Sequence, residues 1–308
     1  MDISVILDTM LVLFGITGLG YGANKAGILD EISNGRISRL VLNVTTPLMI
    51  INAVFSESLT GDKSEIIIIF LLGIGMYAIL PVFARIAVKL MRISPNDSGT
   101  YEMMLIFANT SFIGYPIMKS LFGDWAVFYS SILNMPFNFL VFTYGVYLIS
   151  RNSKDTFKFG AREILNPGVV ASLVALLIYF TGITLPDSII RIMGIVGDTT
   201  VPLSMLTIGS SLALIPVKDL FREPRLYILS AIKLLIMPSV CYLLLSLVMK
   251  DQFLINMITI NVGLPAGTMT VMISNQYNGN TRMASIGVFI TTLASVATVP
   301  LIAYLFMA

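Results

Sequence analysis

The sequence of 308 residues has no histidine, one cysteine and one tryptophan, and only 12% of its residues are charged. Without histidine, imidazole-based triads, histidine metal sites and histidine proton relays are excluded. The lone Cys241 excludes an internal disulfide, a CxxC redox pair and a thiolate metal cluster. Charge is scarce in both signs, with 19 basic against 17 acidic residues and a net charge of +2, and the basic residues are scattered. That distribution excludes a nucleic-acid-binding face. Hydrophobic residues make up 56% of the chain instead, and the charge content is roughly half that of an ordinary soluble domain. The chain reads as an all-α integral membrane protein.

Apolar runs long enough to cross about 30 Å of hydrocarbon fall at residues 4–23, 37–56, 66–90, 101–122, 126–149, 166–184, 188–214, 225–249, 253–276 and 283–306. These predict ten transmembrane helices and leave no room for a soluble domain. The first run lacks a basic leader, carries Asp8 and ends among glycines, so it reads as a retained span rather than a signal peptide. Fourteen Lys and Arg residues fall in or beside the odd-numbered connections, among them Arg36, Arg39, Arg85, Lys89 and Arg151. The even-numbered ones hold Lys63, Lys119, Arg191 and Lys250. By the positive-inside rule the odd connections face the cytoplasm, which places both termini outside the cell membrane.

The most polar connection, 151–165, divides the chain into five-span halves, 1–150 and 166–308. An odd number of spans in each half requires the second to be inverted relative to the first. Internal similarity follows that expectation. Asn43-Val-Thr-Thr-Pro47-Leu48 in span 2 answers to Asp198-Thr-Thr-Val-Pro202-Leu203 in span 7, and in spans 4 and 9 Asn109 answers to Pro265 and Pro116 to Thr270, all at offsets of about 155 residues.

A proline inside a span strips a helical donor from the carbonyl four residues earlier. Hydrocarbon tolerates this only where protein or a wet cavity supplies a partner. For Pro47, Pro202 and Pro265 that carbonyl belongs to Asn43, Asp198 and Asn261. Span 4 reads Phe107-Ala-Asn109-Thr110-Ser111-Phe112-Ile-Gly114-Tyr115-Pro116, and span 9 reads Asn261-Val-Gly263-Leu264-Pro265-Ala-Gly267-Thr268-Met-Thr270. Two interrupted helices at matching places are the sequence mark of a transporter's central site, where half-helix N-termini favour an anion and freed carbonyls a cation. Other polar residues in spans stay open between two roles. Asn134 and Asn138 face either the cavity or a neighbouring helix. Lys233, about 12 Å into span 8, either snorkels or acts as a functional charge. Asp198 is either a cavity carboxylate or a helix cap.

These strings resemble the auxin efflux carrier family, which contains the plant PIN auxin carriers and many prokaryotic permeases for small organic acids. The resemblance runs over almost the whole chain and rests on Arg39 through Leu48, Asn109 through Asp124, Asp198 through Gly209, and Leu264 through Asn278. It implies ten spans in two inverted five-helix repeats with crossed, broken helices 4 and 9, an architecture similar to that of bile-acid symporters. Spans 1, 2, 6 and 7 would form a scaffold that dimerises, and spans 3–5 and 8–10 a mobile transport domain moving by an elevator mechanism. The implied substrate site takes Asn109, Thr110, Gly114 and Pro116 from helix 4 and Asn261, Pro265, Gly267 and Thr270 from helix 9. Scaffold helix 2 would add Asn43, Thr46 and Pro47, with Asn134 and Asn138 as further candidates from span 5. Thr270 stands where plant members have a second crossing proline. The Asp/Lys pair of their third span has no match between Ile66 and Ala84, and the short central connection lacks their long regulated loop.

The resulting expectation is a secondary transporter of a small organic anion, a mono- or dicarboxylate. Asn109 and Asn261 would donate amide hydrogen bonds, and helix termini rather than a fixed Arg or Lys would supply positive potential. Coupling is open between Na⁺, held by oxygens near Asn109 and Asn261, and the membrane potential alone. No cofactor or structural metal is expected, and lipid is the only further partner besides a second copy of the chain. A membrane receptor using the same fold is the alternative. A channel lacks its charged ring or filter repeat, an enzyme its nucleophile, base or metal constellation, and an ATP-driven pump its Gly-x4-Gly-Lys-Ser/Thr loop.

Overall fold

The structure, a computed structural model, describes residues 3–55, 63–151, 167–214, 223–277 and 279–307. Its helices are α1 (Ile3–Lys25), α2 (Glu31–Leu40), α3 (Thr46–Asn52), α4 (Lys63–Leu90), α5 (Pro95–Ile106), α6 (Tyr115–Phe122), α7 (Asp124–Leu133), α8 (Met135–Leu140) and α9 (Val146–Ser150). After the central connection come α10 (Pro167–Thr181), α11 (Asp187–Asp198), α12 (Thr200–Ala213), α13 (Pro224–Ala231), α14 (Met237–Val248), α15 (Gln252–Val262), α16 (Met269–Gln276) and α17 (Thr281–Met307). No strand forms among the described residues beyond one isolated antiparallel bridge. The predicted connection 151–165 lies outside the described residues apart from Arg151.

Among the described residues, five helical stretches are long and apolar enough to cross a membrane: Glu31–Phe55, Ser64–Leu90, Asp187–Ala213, Pro224–Val248 and Thr281–Phe306. A sixth is added if Asp124–Leu133 and Met135–Ser150, which meet at 42°, count as one bent span. The chain is thus a multi-pass, all-helical membrane protein. The runs predicted at 101–122 and 253–276 are interrupted by extended backbone, which is why neither forms one long helix.

The prolines explain several joints. Four π turns occur among the described residues, at Val41–Thr45, Thr110–Gly114, Val141–Gly145 and Ile232–Ile236. Three of them end two residues before a proline, Pro47, Pro116 or Pro238. In each, the residue before the proline donates its N–H five residues back: Thr46 to Val41 O, Tyr115 to Thr110 O, and Met237 to Ile232 O. Widening the turn by one residue clears the ring from the carbonyl it would otherwise strike, and keeps the ladder bonded where no water is present. Outside the spans, α2 begins with a reciprocal cap: the Ser33 hydroxyl and N–H donate to Asp30 Oδ1 at 2.6 and 2.7 Å, and Asp30 N–H donates to Ser33 Oγ at 2.7 Å. The Ser33 bonds, side chain first, hold the Asp30 carboxyl below its ordinary range.

The tightest helix pair is α1 against α12. A Cβ at Gly209 would overlap the Thr17 carbonyl, and one at Gly20 the Leu206 backbone. Asn24 Nδ2 donates to Ser210 Oγ at 3.0 Å and Lys25 Nζ to Ala213 O at 2.9 Å along the same seam. In lipid, where apolar surface gives no net drive to associate, such small-residue contact is a main source of packing energy. Gly209→Leu is therefore expected to cost about 3 kcal/mol or more and to abolish monodisperse protein in detergent gel filtration. Gly18→Leu, whose Cβ meets nothing within 4 Å, is expected to leave the elution profile and thermal midpoint unchanged.

Candidate functional site

The two interrupted helices meet at their breaks. Ala108 and Ala266 form an antiparallel bridge, in which Asn109 N–H donates to Pro265 O at 2.8 Å and Gly267 N–H to Phe107 O at 2.8 Å. Ala266 N–H is taken by Thr291 Oγ1 of α17 at 3.2 Å. Each break thus satisfies the other's backbone, as a helix interruption inside an apolar bundle requires. A Cβ at Gly267 would stand 2.9 Å from Ala108 O and 3.1 Å from Phe107 O, so this crossing distance requires glycine there. Gly114 differs: an added Cβ there would meet the Leu264 side-chain end, Cδ1, at 2.7 Å, which can shift, and no backbone closer than 3.6 Å.

Beyond the crossing, both chains turn back into helix. Asn109 caps the π turn that leads into α6, accepting Phe112 N–H on Oδ1 at 3.3 Å, while its carbonyl accepts from Gly114 at 3.0 Å. Thr268 stands at the N-cap of α16. These two N-terminal ends open on one cavity of about 380 Å³, lined by Asn109, Thr110, Ser111 and Phe112 from one and Gly267, Thr268 and Met269 from the other. Hydroxyl residues Ser38, Thr207, Ser211, Ser285 and Thr292 also line it, and among the described residues no acidic or basic side chain does. Two helix N-termini facing a neutral cavity, with the N–H groups of Ser111, Thr268 and Met269 left over from the local turn bonds, are suited to a small anion. A second cavity of about 370 Å³, between α4, α14 and α15, is lined by apolar side chains and Cys241 and has no such donors.

The candidates named from the sequence separate into groups. Asn109, Thr110 and Gly267 line the cavity. Gly114, Pro116, Pro265 and Thr270 belong to the framework behind it: Pro116 is buried at the start of α6, and Thr270 is fully buried with its hydroxyl unpartnered. Asn261 is not in the lining; its Nδ2 donates to Ser130 Oγ at 3.0 Å. Asn134 belongs to the same buried network, donating to Ser130 O at 2.8 Å and accepting from Tyr77 OH at 2.8 Å. The pair named for a cation, Asn109 and Asn261, thus makes separate contacts. Asn43 is exposed and its amide returns to Arg39 O at 2.7 Å, Thr46 is buried with an unpartnered hydroxyl, and Pro47 is half-buried. The Asn138 side chain lies outside the described residues.

Two ionisable residues take definite places. Lys233 does not snorkel: it is fully buried, and its Nζ donates to Leu105 O at 2.8 Å. Asp198 closes α11 at its C-terminal end rather than capping an N-terminus, and it shares Lys119 with Asp124, which lies 2.7 Å from the lysine Nζ. The lining hydroxyls Ser38, Ser111, Thr207, Ser211, Thr268, Ser285 and Thr292 were absent from the sequence candidates. The signal for two of them was Thr207 and Ser211, four apart in an apolar span and so on one helix face.

Paired helix breaks that meet beside a cavity inside an apolar bundle are the arrangement found at the centre of membrane transport proteins. The chain belongs to the auxin efflux carrier family: a family profile described as "Membrane transport protein" matches residues 5–158 and 154–303. An uncharacterized transporter of Methanocaldococcus jannaschii is 22% identical over 305 residues, covering 96% of this chain and 97% of that protein. An uncharacterized transporter of Methanothermobacter thermautotrophicus is 21% identical over 299 residues, 96% of each. A Rhizobium meliloti protein provisionally named a malonate transporter is 31% identical over 147 residues, 47% of this chain and 45% of that one.

Because the contacts an added methyl would meet at Gly267 are backbone atoms, the crossing must open to admit it. Gly267→Ala is expected to destabilise by about 1–3 kcal/mol, read as a fall of several degrees in the thermal midpoint of the purified protein. An unchanged midpoint contradicts the tight crossing.

Proposed function

We propose that the protein is a secondary transporter of small organic anions, carboxylates in particular, working by an elevator motion. The observation that carries this reading is the convergence of two half-helix N-termini on a neutral cavity. Such a site attracts a carboxylate through N–H groups and helix dipoles yet holds no fixed countercharge in its wall, which suits release on every cycle. The Rhizobium relative's name, with malonate as its substrate, agrees in chemical class.

The reading has ten spans, in two inverted five-helix repeats, with α5–α6 and α15–α16 as the broken spans. It is supported by the two profile matches, which meet at residues 154–158 beside the polar connection. Close backbone approaches sort with the proposed blocks. Gly20, Gly197 and Gly209 would strike Leu206, Met49 and Thr17, all within spans 1, 2, 6 and 7; Gly73, Gly99 and Gly267 would strike Leu133, Leu148 and Ala108, all within spans 3–5 and 8–10. Rigid backbone seams inside each block, and a cavity with the Lys119–Asp198 ion pair between them, fit one block sliding on the other. With the odd connections cytoplasmic and both termini outside the cell membrane, the cavity opens inward, since Ser38, Ser211 and Ser285 lie at cytoplasmic span ends. The ion pair then bridges the blocks on the outer side. A homodimer through the scaffold helices and potential-driven movement without a coupling ion complete the proposal.

The test is flux of labelled malate, malonate, lactate and indole acetate into proteoliposomes, with and without Na⁺ and with an imposed potential. Saturable uptake of at least one acid is expected, reduced about tenfold or more in Asn109→Ala, with only the few degrees of midpoint that losing the cap on Phe112 N–H costs. Wild-type protein that binds an acid but shows no flux under any gradient refutes transport, and a fully active Asn109→Ala refutes the site. Orientation is read separately. Ser285→Cys in a Cys241→Ser background is expected to react with an impermeant maleimide from the cytoplasmic face and to be protected by substrate.

A further inference from the structure

Among the described residues two acidic or basic side chains are buried, Glu102 and Lys233. Arg151 pairs with Glu102 at 2.9 Å. Lys233 makes no ion pair among the described residues, and its ammonium meets a carbonyl instead, Leu105 O. That carbonyl is a particular one. In an unbroken helix it would accept from Asn109 N–H, but the crossing diverts Asn109 N–H to Pro265 O. Lys233 therefore fills the acceptor that the break leaves open, four residues before Asn109. The π turn that carries Lys233 packs on α17, which supplies Val288, Phe289 and Thr292 to the cavity.

The charges at the crossing can be summed in sign. The half-helices that meet there present two N-terminal and two C-terminal ends, each equivalent to roughly half a unit charge; these cancel over the crossing as a whole, while the two N-terminal ends face the cavity. What is left is the charge that Lys233 carries when its amine is protonated. An uncompensated cation inside a membrane is costly and is retained where a function needs it. The cavity beside it is open to an anion, which would supply the missing charge. We propose that Lys233 is the residue that sets the site's preference for carboxylates: a positioning charge outside the cavity wall, acting through the Leu105 carbonyl end of α5, that the bound anion neutralises. This deepens the proposed function and rests on that reading for the anion, though not on its being transported.

The competing role is a hydrogen-bond cap on Leu105 without any electrostatic part. Lys233→Gln keeps a donor and removes the charge, and Lys233→Arg keeps the charge. The readout is thermal stabilisation of the purified full chain by lactate, malonate and the uncharged lactamide at neutral pH. Because a dianion feels twice the Coulomb term of a monoanion and a neutral amide none, Lys233→Gln is expected to weaken apparent lactate affinity severalfold or more, to weaken malonate by about the square of that factor, and to leave lactamide unchanged. Lys233→Arg should stay within about threefold of wild type for both acids. Equal weakening of all three probes, or none, overturns the proposal in favour of a structural cap.

If Lys233→Gln does not give monodisperse protein, Asn109→Asp decides. It brings its own negative charge to the break and is expected to raise the thermal midpoint while abolishing stabilisation by lactate; a lowered midpoint overturns the proposal. Stabilisation by lactate without flux in liposomes would count against transport alone. A wild type that no acid stabilises would refute the anion reading, and the Asn109→Asp midpoint would still report whether the cation is uncompensated.

Discussion

Everything distinctive about this bundle follows from the requirement that two broken helices satisfy each other's backbone inside hydrocarbon. An unpaired N–H or C=O there costs several kcal/mol, so a break is stable only with a partner, and here the partner is the other break. The bonds Asn109 N–H to Pro265 O and Gly267 N–H to Phe107 O make a two-residue sheet in the middle of an all-helical protein. Once these are made, most of the first N–H groups of the two following half-helices bond locally, Thr110 to Ala108 O, Phe112 to Asn109 Oδ1 and Thr270 to Gly267 O, which leaves those of Ser111, Thr268 and Met269. They face the cavity lined by Asn109 to Phe112 and Gly267 to Met269.

Proline marks the places where the helical ladder changes, yet its consequence depends on its neighbours. Before Pro47, Pro116 and Pro238 the chain inserts a π turn and continues as helix. Pro81 and Pro300 lie inside α4 and α17 with no such turn. Only around Pro265, flanked by Gly263 and Gly267, does the backbone leave helix for an extended stretch, and there it has Ala108 to pair with. A proline thus announces a missing donor; what replaces the donor is decided by whether a second strand of backbone can reach it.

The same distinction governs how much of the site was legible in the sequence. Asn109 was legible because Asn-Thr-Ser in an apolar run has few uses other than a helix restart, and it does cap one. Asn261 and Asn134 look equivalent in sequence but turn to Ser130 and Tyr77, because a polar side chain in a span reports only that it avoids lipid, not which buried partner it finds. The cavity hydroxyls were illegible for the opposite reason. Thr207 donates to Leu203 O at 2.7 Å and Ser285 to Thr281 O at 2.9 Å, so each is satisfied by its own helix and costs an apolar span little. Nothing in such a residue distinguishes a cavity-facing hydroxyl from a lipid-facing one. Lys233 was ambiguous because depth along the helix was known and the neighbour was not; only the position of the Leu105 carbonyl separates a buried cation from one that reaches the interface.

The division of strong and weak contacts bears on movement. Contacts that glycine alone permits, such as Gly209 on Thr17 and Gly267 on Ala108, cannot be made and broken during a cycle without moving backbone against backbone. A half-exposed ion pair such as Lys119 with Asp198 can, since water replaces either partner and the pair contributes on the order of 0–1 kcal/mol. Asp124 holds the other side of the same ammonium at 2.7 Å, so under the proposed elevator motion Lys119 would keep a partner when Asp198 is lost. A contact that crosses between blocks and has a resident substitute changes the energy little whether made or broken. An alternating carrier needs that property at the face it must open, because any larger stabilisation of one state would have to be overcome on every turnover.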